Sequence, residues 1–193
     1  MNTAEVWAGT WGQEYTARNR ADWRARIPFW REVLDLTGAR SVYEVGCNAG
    51  WNLSAIKAAS NGLVEGYGHD VNYDAVLQAR SAGLDVTHAE RWPEDAFLYR
   101  VDLSFTAGVL IHIAPKELPS MMRQIVGTSA DYVLAVEYAA DKEEEVLYRG
   151  QSGMLWRRPY GQLYQDMGLQ LVKEWDAGPG FDRCTAYLLR HRP

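Results

Sequence analysis

The residues in this chain best suited to chemistry begin at Glu44-Val-Gly-Cys-Asn-Ala-Gly50, where an apolar run closes on a carboxylate and two glycines. Gly46 and Gly50 permit a tight turn and close backbone approach, and Asn48 is one of the few non-glycine types that tolerates positive φ. Such a loop suits a ligand that lies on the backbone. Asp70 comes 24 residues after Gly46, just past a second apolar run, where a carboxylate accepts hydrogen bonds from both hydroxyls of a ribose. Together they predict a nucleoside ligand. The spacing is G-x-N-x-G, not the G-x-G-x-x-G of a dinucleotide fold, and Glu44 stands just before it. A pyrophosphate favours bare glycine backbone without a neighbouring carboxylate, whereas a ligand with an ammonium and a sulfonium is drawn to one. S-adenosylmethionine therefore fits the loop better than NAD. The plainer alternatives are an ordinary strand-to-helix turn and, for Asp70, a helix N-cap.

The elements that must position these residues follow from pattern. SVYEVG is a short strand, and WNLSAIKAA after it is an amphipathic helix. LVEGYGHDV, LDVTHA, VDLSFTAGVLIHI and DYVLAVEY read as further strands. YDAVLQARSAG and PKELPSMMRQIVG read as the helices between them, the latter with proline at its start and glycine past its end. After the charged connection DKEEE come a helix around RRPYGQLYQDMG and two strands, LQLVKEWDA and CTAYLLRHR, joined by GPGFD, which pair antiparallel. Residues 1 to 40 read as an aromatic, Arg-rich helical cap with Pro28 starting or kinking a helix. The 193 residues form one domain, a cap over residues 1–40 and a Rossmann-like α/β core over 41–193.

Composition narrows the partners. Twenty Lys and Arg against 25 Asp and Glu leave a formal charge of -5, so no basic field favours nucleic acid. Cys47 and Cys184 are far apart, without a CxxC or a His at ligand spacing, so neither a metal site nor a disulfide framework is expected. The start lacks a secretory pattern and no stretch has the length of a membrane span, which makes a reducing cytoplasm the expected compartment.

EVGCNAGWNL followed by GHDVN resembles motif I and the acidic second-strand end of class I S-adenosylmethionine-dependent methyltransferases. The resemblance implies their seven-stranded, mostly parallel sheet with an antiparallel C-terminal hairpin. A closer likeness, carried by WAGTWGQEYTARN, EVGCNAGWNL, FTAGVLIHI, AVEY and YRGQSGMLWRR, is to the methylases associated with pseudaminic acid biosynthesis. It implies that Glu44, Gly46, Cys47, Asn48, Gly50 and Asn52 hold the cofactor at the first loop, with Asp70, Val71 and Asn72 at the second strand end. Glu90 and Arg91 would meet adenine, with a plain solvent-facing acid as the alternative for Glu90, while Thr106 and Gly108 close over the methionine part. Trp11 and Tyr15, at i and i+4 on one helix face, would fold over the cofactor or else pack as core.

At the acceptor, His112 is a candidate base or anchor, with a structural histidine as its alternative. Glu137 and Tyr138 end the fifth strand facing the crevice, one as a second base and the other orienting substrate, with a strand-end acid bonded to neighbouring backbone as the alternative. Tyr148, Arg149, Trp156, Arg157 and Arg158 would form a lid with a guanidinium fork for a carboxylate, as on an acidic sugar. Exposed arginines balancing DKEEE are the bland reading, more so for Arg158, and the early arginines read as a solvated helix face. His69, alternating with Asp70 on a strand, reads as structural. These residues predict methyl transfer to an O- or N-nucleophile of a small polar molecule. The competing readings are a nucleic-acid or protein methyltransferase, disfavoured by Thr106-Ala-Gly-Val109 where base methylases carry Asn/Asp-Pro-Pro, and a cofactor-binding protein without turnover.

Overall fold

The computed structural model describes residues 3–18, 22–89 and 100–192. The chain opens with helices α1 (Thr3–Ala8) and α2 (Thr10–Arg18), then a short 3-10 turn over Trp23–Arg26 that runs into α3 (Ile27–Thr37). Pro28 sits in the first turn of α3, where its missing N–H costs nothing, and Gly38 ends the helix in the left-handed region. Alternation begins at β1 (Ser41–Val45) and continues through α4 (Trp51–Ala59), β2 (Glu65–Asp70), α5 (Tyr73–Ser81), β3 (Asp85–His88), β4 (Val101–Ala107), α6 (Leu118–Thr128) and β5 (Ser129–Glu137). The last third holds β6 (Glu144–Glu145), β7 (Trp156–Arg157), α7 (Tyr160–Asp166), β8 (Gln170–Asp176) and β9 (Thr185–Arg190).

Seven strands make one sheet in the order β3-β2-β1-β4-β5-β9-β8. β1 to β5 are parallel, and β9 inserts antiparallel between β5 and β8. This is the expected sheet, including the antiparallel C-terminal hairpin. Strand order reverses between β1 and β4, which opens the crevice beyond the carboxyl ends where α/β sheets bind ligands.

Both faces of the sheet are covered, so its inner strands are apolar on both sides. Val42, Leu103, Phe105, Leu134, Val136, Ala186 and Leu188 meet Phe29, Trp30, Val33, Leu53 and Ile56 on one face. Tyr43, Val45, Val133, Ala135, Tyr187 and Leu189 meet Leu118, Ile125, Tyr160 and Tyr164 on the other. Successive residues of β1, β5 and β9 thus alternate between two cores.

Three details differ from the sequence expectation. α3 buries Phe29, Trp30 and Val33 against the sheet, so the final third of the expected cap is part of the core layer. α6 keeps Gly127 inside its last turn and passes directly into β5 at Ser129. The connection over residues 141–159 contains the two-stranded β6–β7 hairpin, with strands too short to show any periodicity. Among the described residues, no helix is long and apolar enough to cross a membrane.

Trp30 is fully buried, with its ring 4.6 Å from Phe105 and 5.3 Å from Phe29. Trp30→Ala is expected to lower the unfolding free energy by about 3–5 kcal/mol in urea denaturation. A loss below about 1 kcal/mol would mean that this face repacks around the gap.

Candidate functional site

The loop after β1 takes the backbone form its residues allow. Gly46, Asn48 and Gly50 all adopt positive φ, at 69°, 47° and 75°. At Gly46 the need is steric as well, since a Cβ would stand 2.6 Å from Val109 Cγ2. The Cys47 N–H donates to the His69 carbonyl at 2.9 Å, joining the loop to the end of β2. Asp70 completes that junction: Oδ2 accepts from the Asn48 N–H at 2.7 Å and Oδ1 from the Asn72 N–H at 2.8 Å. Burial pushes the Asp70 carboxyl above its usual range, and these backbone bonds oppose the shift. The N-cap of α5 is Asn72, whose side chain accepts from the Ala75 N–H at 3.1 Å. Its Nδ2 is buried with no partner.

Glu44 is the least expected charge in the molecule. It lies on central strand β1, is 2% exposed, and accepts at Oε1 from Asn52 Nδ2 at 2.6 Å. The Asn52 amide is oriented from behind, because its Oδ1 accepts from Arg26 Nη1 at 2.8 Å and from Trp30 Nε1 at 3.3 Å. Burial raises the Glu44 carboxyl to about 8, against the opposing pull of Asn52 and Arg26. Its second oxygen, Oε2, is buried without a partner.

A cleft of about 470 Å³ runs over this loop. Of the sequence-expected cofactor residues, Glu44, Gly46, Cys47, Asn48 and Asn52 line one part of it, and Asp70, Val71 and Asn72 another. Tyr15 and Gly108 also line it, as does His112. Gly50 turns the chain into α4 from outside the cleft, and Thr106 is fully buried in β4. Glu90 and Arg91 lie outside the described residues. Burial raises the Cys47 thiol well above its usual range, so its contribution to the cleft is position, not nucleophilicity. His69 is buried, its Nδ1 3.0 Å from the Tyr43 hydroxyl, as expected of a structural histidine.

α2 crosses the loop and closes the cleft. Asn48 Nδ2 donates to Thr16 Oγ1 at 3.0 Å, and a Cβ on Gly12 would stand 3.0 Å from Asn72 Nδ2. Trp11 is not on the cleft wall and instead lies 6.1 Å from Tyr148. Trp7 takes the place expected of it, 4.5 Å from His112 and 5.2 Å from Tyr15. The helical path breaks at Gly9, between α1 and α2, so the i, i+4 register does not continue through Trp7. That glycine was the available signal. Arg26 also lines the cleft, in contrast to the solvated face expected of the early arginines. Its partners, Asn52 and the Gly180 carbonyl, are remote in sequence and left no local sign.

The acceptor-side expectations divide. His112 is 8% exposed, and its Nδ1 lies 2.7 Å from the Met154 carbonyl oxygen. A carbonyl only accepts, so Nδ1 carries the proton and Nε2 presents a lone pair. Burial lowers the imidazole to about 4, which keeps it neutral. Glu137 does not face the crevice as expected. It is fully buried, and its carboxylate accepts from the N–H groups of Val109, Leu110 and Ile111 at 3.1 to 3.4 Å. Arg158, also fully buried, holds the same turn from its carbonyl side, donating to Leu110 and Ile113, each at 2.9 Å. An exposed arginine was expected there, and its Nε does reach Glu143 of the acidic run, at 2.7 Å. The guanidinium fork is not assembled: Arg149 is exposed, Arg157 pairs with Glu144 on the surface, and Trp156 is buried under Arg158. Tyr138 and Tyr148 instead line a second cavity, of about 120 Å³, that shares Tyr15, Arg26 and His112 with the first.

No protein-family model and no curated protein sequence matches the chain. Its fold is that of class I methyltransferases. The 1,6-didemethyltoxoflavin-N1-methyltransferase of Burkholderia thailandensis, solved with its substrate and S-adenosylhomocysteine, superposes with a TM-score of 0.71 at 12% identity, covering 98% of this chain and 87% of that one. The magnesium protoporphyrin IX methyltransferase of Synechocystis PCC 6803, with bound S-adenosylhomocysteine, gives 0.72 at 13% identity over 98% of both chains. A sugar N-methyltransferase from Streptoalloteichus gives 0.67 at 15% identity, covering 96% and 94%.

Removing Arg158 strands the Leu110 and Ile113 carbonyls, whereas removing the Glu143 charge leaves only an exposed acid changed. Arg158→Met is expected to cost about 1–3 kcal/mol of stability and to shift the His112 ring resonances in NMR. Glu143→Gln keeps an oxygen that accepts from Arg158 Nε and is expected to cost less than Arg158→Met. Equal losses in the two variants would show that the ion pair with Glu143, not the backbone bonds, carries the role of Arg158.

Proposed function

We propose that this chain transfers a methyl group from S-adenosylmethionine to a small-molecule acceptor. The observation that carries the reading is Glu44 Oε2, a buried acceptor without a partner at the wall of a nucleoside-sized cleft. An orphaned carboxylate oxygen in that position calls for a cationic donor, and the ammonium of the cofactor's amino-acid part is one. Arg26 has donors left beyond its bonds to Asn52 and Gly180, which suits the carboxylate of the same moiety. Each Asp70 oxygen takes one backbone N–H and keeps a lone pair for a ribose hydroxyl. Buried Asn72 Nδ2 offers a donor beside it. A pyrophosphate has no use for Glu44 and would be repelled by it. When bound, the cofactor supplies an electrophilic methyl group on a sulfonium.

The protein's own contribution is alignment and exclusion of water. Trp7 and Tyr15 close the cleft over the loop, and His112 Nε2 accepts a hydrogen bond from an O–H or N–H of the acceptor. The likeness to methylases associated with pseudaminic acid biosynthesis favours a small polar acceptor. The fold relatives include enzymes named for small-molecule methylation, which agrees with an acceptor of that size.

Calorimetric titration with S-adenosylhomocysteine, beside NADH, tests the cofactor. Tight binding of the former and none of the latter is expected, and Asp70→Ala should weaken it by about 1–3 kcal/mol. Unchanged affinity in a folded Asp70→Ala protein would remove the ribose role. The pH dependence follows from Glu44: a carboxyl held at about 8 is protonated at neutral pH, and a bound ammonium favours its ionised form. Binding at neutral pH should therefore release a proton, and affinity should rise with pH up to about 8. Without ligand the sign is opposite. The raised pKa contributes stability present below the carboxyl's ordinary range and lost as pH rises through about 8. Comparing binding heats in two buffers of different ionisation enthalpy measures the proton, which Glu44→Gln should abolish.

A further inference from the structure

The second cavity is small and unusual in its walls. At about 120 Å³ it is slightly smaller than the ~150 Å³ engineered cavity that holds a benzene, which limits an occupant to about one ring. Tyr15, Tyr138, Tyr148 and Phe181 line it with aromatic rings, and Asp182 lines it with a carboxylate. Asp182 Oδ2 accepts from the Tyr138 hydroxyl at 2.7 Å, which holds the acid in place and leaves Oδ1 for a ligand. His112 adds a nitrogen that can only accept. The cation on the wall, Arg26, is held by Gly180 and Asn52, its face lies 4.5 Å from the Phe181 ring centre, and Glu44 sits behind Asn52.

We infer that this cavity selects a small ring-borne amine as the methyl acceptor, with Asp182 and the tyrosine rings taking its positive charge and His112 Nε2 accepting one N–H. The inference rests on the methyltransferase reading above. Aromatic faces beside a carboxylate favour an ammonium, whereas a carboxylated acceptor would meet Asp182. An amine also suits a histidine that burial keeps from taking a proton. The ammonium gives up one proton to water at the exposed Asp182 mouth and becomes nucleophilic. The nitrogen lone pair then forms the N–C bond as the C–S bond of the sulfonium breaks, so the positive charge passes from sulfur to nitrogen among the same rings. An alcohol acceptor would need a base for its proton during transfer, and His112 at about 4 is a poor one.

The test measures binding, not turnover. S-adenosylhomocysteine is titrated first, and the loaded protein is then titrated by NMR at neutral pH with cyclohexylamine, cyclohexanol and cyclohexanecarboxylate. The amine should bind at least about tenfold tighter than the alcohol, with the carboxylate weakest. Asp182→Asn, a change on an exposed loop away from the cofactor cleft, should remove most of that advantage and leave S-adenosylhomocysteine affinity unchanged. Alcohol or carboxylate binding as tight as the amine, or an advantage that survives in Asp182→Asn, would overturn the assignment while leaving the cofactor reading standing. Failure to bind S-adenosylhomocysteine at all would overturn both.

Discussion

A carboxylate buried in the middle of a sheet is the constraint to which much of this molecule answers. Glu44 points from β1 into the face packed by α3 and α4, where an acid has no water to solvate it. The protein meets half of that demand with Asn52, and it holds Asn52 with Arg26 and Trp30 from the preceding turn and helix. One polar chain thereby joins the N-terminal segment, the central strand and the helix after the glycine loop. The unmet half, Oε2, faces the binding problem, and a structure that leaves a buried acceptor unsatisfied has a reason to recruit a donor. Stability and ligand recognition are in this sense the same electrostatic problem.

A similar economy governs the turn after β4. Its backbone is gripped by two fully buried side chains of opposite charge, Glu137 on three N–H groups and Arg158 on two carbonyls. Burying two charges is costly, yet each here satisfies several backbone groups that would otherwise be orphaned. The result is a rigid platform for His112, whose tautomer is then set by the Met154 carbonyl. Burial lifts the Glu137 carboxyl to about 7, and the three N–H bonds pull against that shift. It works as an anchor for the residue beside the cleft, not as a base inside it.

The parts legible in the sequence are those whose cause is local. Gly46, Asn48 and Gly50 declare a turn because few residues adopt positive φ, and Asp70 is placed by the length of one β-α-β unit. The succession of strands and helices from β1 to β5 and the Gly/Pro break between β8 and β9 point to a mostly parallel sheet with an antiparallel hairpin. What could not be read depends on contacts between distant segments. Arg158 looks like a surface arginine beside an acidic run, and only the packing of residues 110–113 against it makes it a buried one. Arg26 looks like part of a basic helix face until Asn52 and Gly180 arrive to bind it. Trp7 reaches the cleft because the chain breaks between α1 and α2, which turns it toward His112 and Tyr15 in a way that i, i+4 spacing alone does not show.

This division matters for how the two cavities relate. The glycine loop and the Asp70–Asn72 wall of the cleft come from one contiguous unit, β1 to the start of α5, and backbone conformation carries their geometry, while Trp7, Tyr15, Arg26 and His112 reach the cleft from other segments. The acceptor side draws Tyr15 from α2, His112 from the turn after β4, Tyr138 from the end of β5, Tyr148 from the β6–β7 connection and Asp182 from the β8–β9 turn. No two of these share a local element, and all but Tyr15 sit at the end of a strand or in a connection, where side chains change with little cost to the core. Likeness to known structures at 11–16% identity accordingly speaks to the fold and not to the side chains of either cavity. The acceptor must be read from this chain's own rings, its one lone-pair nitrogen and its one carboxylate at the mouth.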